Sequence, residues 1–359
     1  MLPGLVDTHV HLREPGATHK EDIASGTVAA LAGGVIGLLD MPNNTPPIVA
    51  EDAFREKKKL FQQKAVSDYG LFVGFDGSQV APLITLAPQA VGLKLYLDET
   101  FGDMTTAEPE ALRWIFATWP GPGPIAIHAE SASIRMALRL AAEFGQRLHV
   151  CHVPHPADLE TIAAARQQGV SVTCEVTPHH LFLSAEDAER LDAYGRMKPP
   201  LVSSDEVRGF WQRLELVDMI ASDHAPHTRA EKESATPPPG VPGLETTLPL
   251  LLRAVDEGRL TLARMIELTY HNPLRVYGLR APADSGVTVE VGEAYRLPAA
   301  GYRTRCGWSP FAGQWALGRV VQVRLRGRVV WQDGQCLAEP GYGQPLGRAH
   351  ESGQDATAG

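Results

Sequence analysis

The feature that most restricts the fold is an alternation that starts at residue 4 and persists to residue 224. Short apolar runs with strand character recur: "GLVDTHVH" (4–11), "GVIGLLDM" (34–41), "DYGLFVGF" (68–75), "VGLKLYL" (91–97), "PIAIHAE" (124–130), "RLHVCHV" (147–153), "VSVTCEV" (170–176) and "VDMIASDH" (217–224). Between them lie Ala-rich segments such as "ASGTVAALA" and "ADLETIAAARQQ", whose apolar residues fall near helical spacing. Each gap is long enough for a crossover back to a parallel neighbour. Eight strands, each followed by a crossover, predict an α/β fold of the (β/α)8 TIM-barrel type over 1–285, with a doubly wound open sheet as the alternative. A chain of 359 residues, 44% of them hydrophobic, can fill one such core.

Beyond the eighth run the texture changes. "ATPPPGVPG" (235–243) is a Pro/Gly loop, and "TLARMIELTYHNPLRVYGL" (261–279) reads as one helix, a stop at "NP" and a short continuation. From 286 the pattern becomes β, as in "VTVEV" and "RVVQVRLRGRVVWQDGQCL", which predicts a small β appendage over 286–343 packed on the barrel. The polar, small-residue stretch 344–359 is expected to be a disordered tail.

Charge and cysteine content remove several classes. The balance of 33 basic against 42 acidic residues gives a net charge of −9, which argues against binding nucleic acid or an anionic membrane. No run reaches the length of apolar residues that a membrane span needs. The N-terminal residues show no basic segment before an apolar stretch. The 4 cysteines are scattered, unlike a disulfide framework. A reduced cytoplasmic protein is the expectation, and an anionic substrate would need local cations to hold it.

The polar residues that an apolar strand should not carry cluster near strand C-termini: His9 and His11, Lys94, His128, His152 and Asp223. In a barrel this is the face where loops gather and catalysis occurs. One histidine in a strand is usually structural, but six such residues on five strands, at corresponding ends, point to a shared site. Four imidazoles and a carboxylate suit zinc or a similar divalent ion. Lys94 is the odd member, because an ammonium aimed at cations is repelled. Either it snorkels to the barrel mouth, or burial frees its amine to capture CO2 as a carbamate that bridges two metals.

At these residues the chain resembles the cyclic amidohydrolases, and within them the dihydroorotases. The segments "DTHVHLREPG" (7–16) and "ASDHAPHTRAEK" (221–232) match that group's two signatures. "MPN" (41–43), "GLKLYL" (92–97), "HAE" (128–130), "CHV" (151–153), "PHHL" (178–181) and "PGLET" (242–246) follow in the expected order. The similarity spans roughly 3 to 343 and is nearest to the dihydroorotase domain fused to carbamoyl-phosphate synthetase and aspartate transcarbamoylase in animals. The resemblance implies two Zn2+ per subunit. One would sit on His9, His11, Lys94 and Asp223, the other on Lys94, His128 and His152, bridged by N6-carboxylated Lys94 and hydroxide. It implies reversible cyclisation of N-carbamoyl-L-aspartate to L-dihydroorotate, with Asp223 as general acid and base.

Arg13 lies two residues beyond His11 and shares its face if the extended geometry continues, so its guanidinium could fork onto the substrate carboxylate. The resemblance adds Asn43 and His227 as partners of that carboxylate, and Thr100 and Phe101 as the tip of a flap. Cys151 and Glu175 could hold an extra metal. Strand alternation turns Cys151 away from an inward His152, which favours a structural cysteine. Two departures from the family stand out: strand 1 begins almost at Met1, and Lys198 occupies a position where many bacterial members have asparagine. A homodimer is expected, with association with aspartate transcarbamoylase as a further implied partner. Competing readings are a hydantoinase or allantoinase, and an inactive dihydroorotase-like scaffold; Arg13 with Asn43 argues against the first and the six retained ligands against the second.

Overall fold

The computed structural model describes residues 1–77, 81–100, 104–105 and 108–349. All eight expected runs form strands: β1 (Leu5–Val10), β2 (Val35–Asp40), β3 (Asp68–Leu71) with β4 (Val73–Gly74), β5 (Leu93–Tyr96), β6 (Ile125–His128), β7 (Leu148–Val150), β8 (Val172–Val176) and β9 (Met219–Ile220). The third run is split in two at Phe72, which still donates its N–H to Asp40 O at 3.1 Å. Every neighbouring pair is parallel and in sequence order. A parallel bridge between Val10 and His224 joins the last strand to the first, so the sheet is a closed barrel and the open-sheet alternative falls away. Among the described residues no helix is long and apolar enough to cross a membrane.

Strands buried on both faces read as continuous apolar runs, which is why they were legible. Outward residues such as Leu93, Leu95, Ile125 and Ile127 pack on the helices in the main core. Inside, Leu39, Phe72, Ala126 and Met219 fill the barrel, and Tyr277 and Leu346 join the same cluster. The 261–279 helix does not stop at "NP". Leu262–Ile266 passes through a π-helical turn, Glu267–His271, into Asn272–Tyr277. The wider turn, in which Asn272 N–H reaches Glu267 O, accommodates Pro273, which has no N–H of its own to continue an α-helical ladder.

The stretch expected to be a free tail is held as far as Ala349. Tyr69 N–H donates to Gln344 O at 3.0 Å, Leu346 N–H to Tyr69 O at 2.8 Å, and Ala349 N–H to Gly278 O at 3.0 Å. Polar composition concealed this, because the attachment uses backbone groups and one buried leucine. The rest of that stretch, 350–359, lies outside the described residues.

The β segment is an antiparallel sheet in the order β10 (Gly286–Glu290), β13 (Arg319–Leu325), β14 (Arg328–Gln332), β15 (Gln335–Cys336). Its outer edge is met by this chain's own first residues: Leu2 and Val287 exchange two backbone hydrogen bonds of 2.8 and 2.9 Å. Val287, Val323, Leu325 and Val330 share the main core with the barrel helices. Between β10 and β13 the chain makes an excursion, with a two-stranded ribbon of β11 (Tyr295–Arg296) and β12 (Trp315–Ala316), that returns over the barrel mouth. There, three successive amides are accepted by two barrel carboxylates. Arg303 and Thr304 N–H reach Glu245 at 2.8–2.9 Å, and Arg305 N–H reaches Glu21 at 3.1 Å.

Burial pushes the Glu245 carboxyl up from 4.5 to about 7, against the pull of the Arg303 and Thr304 amides. Between those values the folded protein holds a proton that the unfolded chain has released, so this group makes stability fall as pH rises across the window. Glu245→Gln removes that slope. Urea midpoints measured at about pH 5 and about pH 7.5 should therefore fall more in the parent than in the variant.

Candidate active site

The polar residues singled out on the strands meet at one mouth of the barrel. His9 lies on β1 and His11 just past its end, where its N–H continues the pairing by donating to His224 O at 2.8 Å. That bond places Asp223 opposite both rings: His9 Nε2 is 3.3 Å and His11 Nε2 3.1 Å from Asp223 Oδ1. The other ring nitrogens are committed. His9 Nδ1 is 2.5 Å from Glu175 Oε1, and His11 Nδ1 is 2.7 Å from Asn43 Oδ1. Both acceptors require a proton on Nδ1, which leaves each Nε2 lone pair aimed at the Asp223 carboxylate.

Burial, assisted by Lys94, holds His9 below its ordinary value, and burial with Arg13 holds His11 well below. Two neutral lone pairs and a carboxylate oxygen then converge with no proton between them, an arrangement that a divalent cation relieves. His128 Nδ1 and His152 Nε2 lie 3.0 Å apart and share one hydrogen bond, while His128 Nε2 and His152 Nδ1 have no hydrogen-bond partner among the described residues. Burial pushes His128 down to about 3, and His152 well below its ordinary value. Lys94 stands between the two groups, wholly buried, its charge acting on all four histidines and on Asp223. His9, His11 and Asp223, whose donor atoms lie within 4.8 Å of one another, suit a divalent cation in donor type, protonation and the direction of their lone pairs, and His128 and His152 add two imidazoles beside them.

The cleft above them is lined by the four histidines and Asp223 with Arg13, Asn43, Tyr96, Thr100, His179 and Lys198, while Lys94 lies buried beneath it. Arg13 reaches it by another route than strand alternation. β1 has ended, and Arg13 adopts φ +61°, with Nε donating to Pro226 O at 3.1 Å. Burial lowers it to about 10, so it remains a cation at neutral pH. His227 does not line the cleft. It is wholly buried behind Arg13, with Nε2 3.2 Å from Arg13 Nη2 and 3.0 Å from Pro239 O, and Nδ1 3.2 Å from Lys20 Nζ. Phe101 lies outside the described residues.

Strand alternation also misleads at Cys151. β7 ends at Val150 and His152 turns to φ +28°, so both side chains face inward. Cys151 Sγ is 3.0 Å from Lys94 Nζ, and His9, Cys151 and Glu175 bring their donor atoms within 4.8 Å of one another. Burial pushes the Cys151 thiol up to about 12. Glu175 meanwhile accepts from His9, from Thr8 Oγ1 at 3.2 Å and from His149 Nε2 at 3.0 Å. Burial acts to raise its carboxyl, but the His9 and His149 rings outweigh it and hold Glu175 well below its ordinary value. It is the carboxylate that fixes the orientation of the His9 ring.

Comparison with known proteins adds to this geometry. Residues 1–285 match the family described as "Amidohydrolase family". The chain belongs to that family. Among curated relatives, this amidohydrolase is 45% identical over 348 residues to the multifunctional protein CAD of Squalus acanthias, covering 96% of this chain and 15% of that protein. It is 35% identical over 355 residues to a dihydroorotase of Pyrococcus abyssi, with 95% and 85% covered. The chain thus spans about one sixth or less of the multifunctional relatives and most of the single-function one. Among solved structures, an L-hydantoinase of Arthrobacter aurescens superposes with a TM-score of 0.91 at 29% identity, over 96% of this chain and 88% of that one.

Several residues of the amidohydrolase site had no assigned role in the sequence. His179, quoted only within "PHHL", is buried at the cleft, and its Nε2 has no hydrogen-bond partner among the described residues. Asp40 and Lys57 are fully buried and join the two loops that carry Arg13 and Asn43. Asp40 Oδ1 accepts from Leu12 N–H at 2.8 Å, and Oδ2 lies 2.7 Å from Lys57 Nζ. Lys57 in turn donates to Met41 O at 2.7 Å and Asn44 Oδ1 at 2.8 Å. Breaking one side of such a pair leaves a buried charge, so Lys57→Met should cost about 3–5 kcal/mol of stability. The double variant Asp40→Asn/Lys57→Met should recover a substantial part, as read by urea denaturation.

Proposed function

We propose that this amidohydrolase is a dihydroorotase, interconverting N-carbamoyl-L-aspartate and L-dihydroorotate. The observation that carries the reading is a buried guanidinium, Arg13, in the same cleft as Asn43 and the converging imidazoles. A hydantoin ring has no obligatory carboxylate and gives no reason to bury an arginine there. Both substrates of a dihydroorotase carry one, and a guanidinium binds it as a two-pronged donor. The dihydroorotase relatives support the same assignment. The L-hydantoinase neighbour keeps cyclic-imide hydrolysis as the second reading.

His9, His11, Lys94 and Asp223 would hold one divalent ion, and Lys94, His128 and His152 the other; zinc and a carboxylated Lys94 are part of the proposal. Bound ions supply polarisation of the reacting carbonyl and a water acidic enough to attack near neutral pH. The chain's own groups do the rest. Arg13 fixes the carboxylate, with its own Nε–H donated to Pro226 O and His227 packed behind it. Asn43 holds His11 in the required tautomer and presents its amide to the same anion. Asp223, raised by burial although His9 and Lys94 pull it down, takes a proton from the attacking water and returns it to the leaving ring nitrogen. In cyclisation the transfers reverse. Thr100 lines the cleft where the expected flap begins. A cytoplasmic homodimer associated with aspartate transcarbamoylase completes the proposal.

Paired assays of metal-quantified protein on dihydroorotate and on hydantoins test the assignment, and turnover of hydantoins alone would overturn it. Lys94→Ala should lose bound metal and activity together. Arg13→Lys keeps the charge but loses the fork. It should lower kcat/KM for dihydroorotate about 10- to 100-fold, with metal content unchanged.

A further inference from the structure

The segment 221–232 carries Asp223 near its start and His227 in its middle, but its last residue, Lys232, has no part in the chemistry above. Lys232 is fully buried at the end of a one-turn helix, Arg229–Lys232. Its Nζ donates to three carbonyls: Arg196 O at 3.1 Å, Pro238 O at 2.9 Å and Gly240 O at 3.2 Å. An ammonium has three protons, and each has an acceptor.

The reason for this cradle lies in the Pro loop. Residues 237–239 are prolines, which have no N–H and cannot join a ladder, and the half-buried carbonyls of Pro238 and Pro239 take their donors from elsewhere. The 221–232 segment supplies them. Pro238 O and Gly240 O go to Lys232, and Pro239 O, between them, to His227 Nε2 at 3.0 Å. Arg196 O also takes Gly240 N–H at 3.0 Å, which ties the Pro loop to the stretch before Lys198. The tied loops form a thin partition: Met197, Lys198 and Pro239 line both the cleft and a second groove outside it.

We propose that Lys232 is a positioning residue whose ammonium sets this wall of the cleft, and with it the fit of substrate held by Arg13. The substrate part rests on the dihydroorotase reading; the clamp itself does not. Lys232→Met retains the stem and removes the three donors. Metal ligands and Asp223 stay in place, so KM for N-carbamoyl-L-aspartate should rise about tenfold with kcat changed little.

Hydrogen exchange reads the wall directly, because the amide hydrogens of 237–241 belong to Gly240 and Val241 alone. In the metal-loaded parent the Gly240 amide should be protected, and in Lys232→Met it should exchange about tenfold faster. In Lys232→Ala, added propylammonium should restore both protection and KM, whereas tetramethylammonium, which has no N–H, should not. Fast exchange of Gly240 in the parent, unchanged exchange in Lys232→Met, or equal rescue by both cations would overturn the clamp. Faster exchange with an unchanged KM would overturn the positioning role. A parent that turns over no dihydroorotate would refute the functional reading, with the exchange results still deciding the clamp.

Discussion

The parallel pairing of Val10 with His224 is the contact on which the site depends. It closes the barrel, and it does so at the level of the cleft, so that His11 N–H meets His224 O at 2.8 Å while Asp223 turns toward His9 and His11. Residues more than two hundred positions apart in the chain thereby become neighbours. Asp7 reinforces the junction from within β1, accepting the Ser222 N–H at 3.1 Å. Asp223 itself adopts φ +45°, a conformation that an aspartate tolerates better than most side chains. The seam between the first and last strands is thus also the place where charge is concentrated.

Around that seam, desolvation decides the state of nearly every titratable group. It makes the histidines neutral, which keeps their lone pairs available, and it makes Asp223 a stronger base. Burial alone would also neutralise the supporting carboxylates and lysines, so each is given partners. Glu175 has His9 and His149, Asp40 has Lys57, and Lys232 has three carbonyls. Loops that would otherwise be mobile are held by these polar links rather than by apolar packing.

The barrel was legible in the sequence because parallel strands covered on both sides are apolar throughout, and the polar residues of the cleft were legible because they interrupt that pattern. His9, Lys94 and His128 could be found for this reason without any partner in view. What could not be read depended on local breaks in periodicity or on backbone acceptors. Cys151 and His152 share a side because φ is positive at His152, and Arg13 reaches the cleft through a positive φ of its own. No pattern announces that Lys57 will serve Met41 O or that Lys232 will serve Pro238 O, since a carbonyl has no residue type. The hold on residues 344–349 escaped for the same reason.

The filling of the barrel below the ligands has a consequence for traffic. Leu39, Phe72, Ala126 and Met219 occupy the interior, in one cluster with Tyr277 and Leu346. Among the described residues this packing leaves the mouth as the way in and the way out. In the proposed reaction, which runs in both directions, ring and open chain would queue at one doorway, each excluding the other while it is inside.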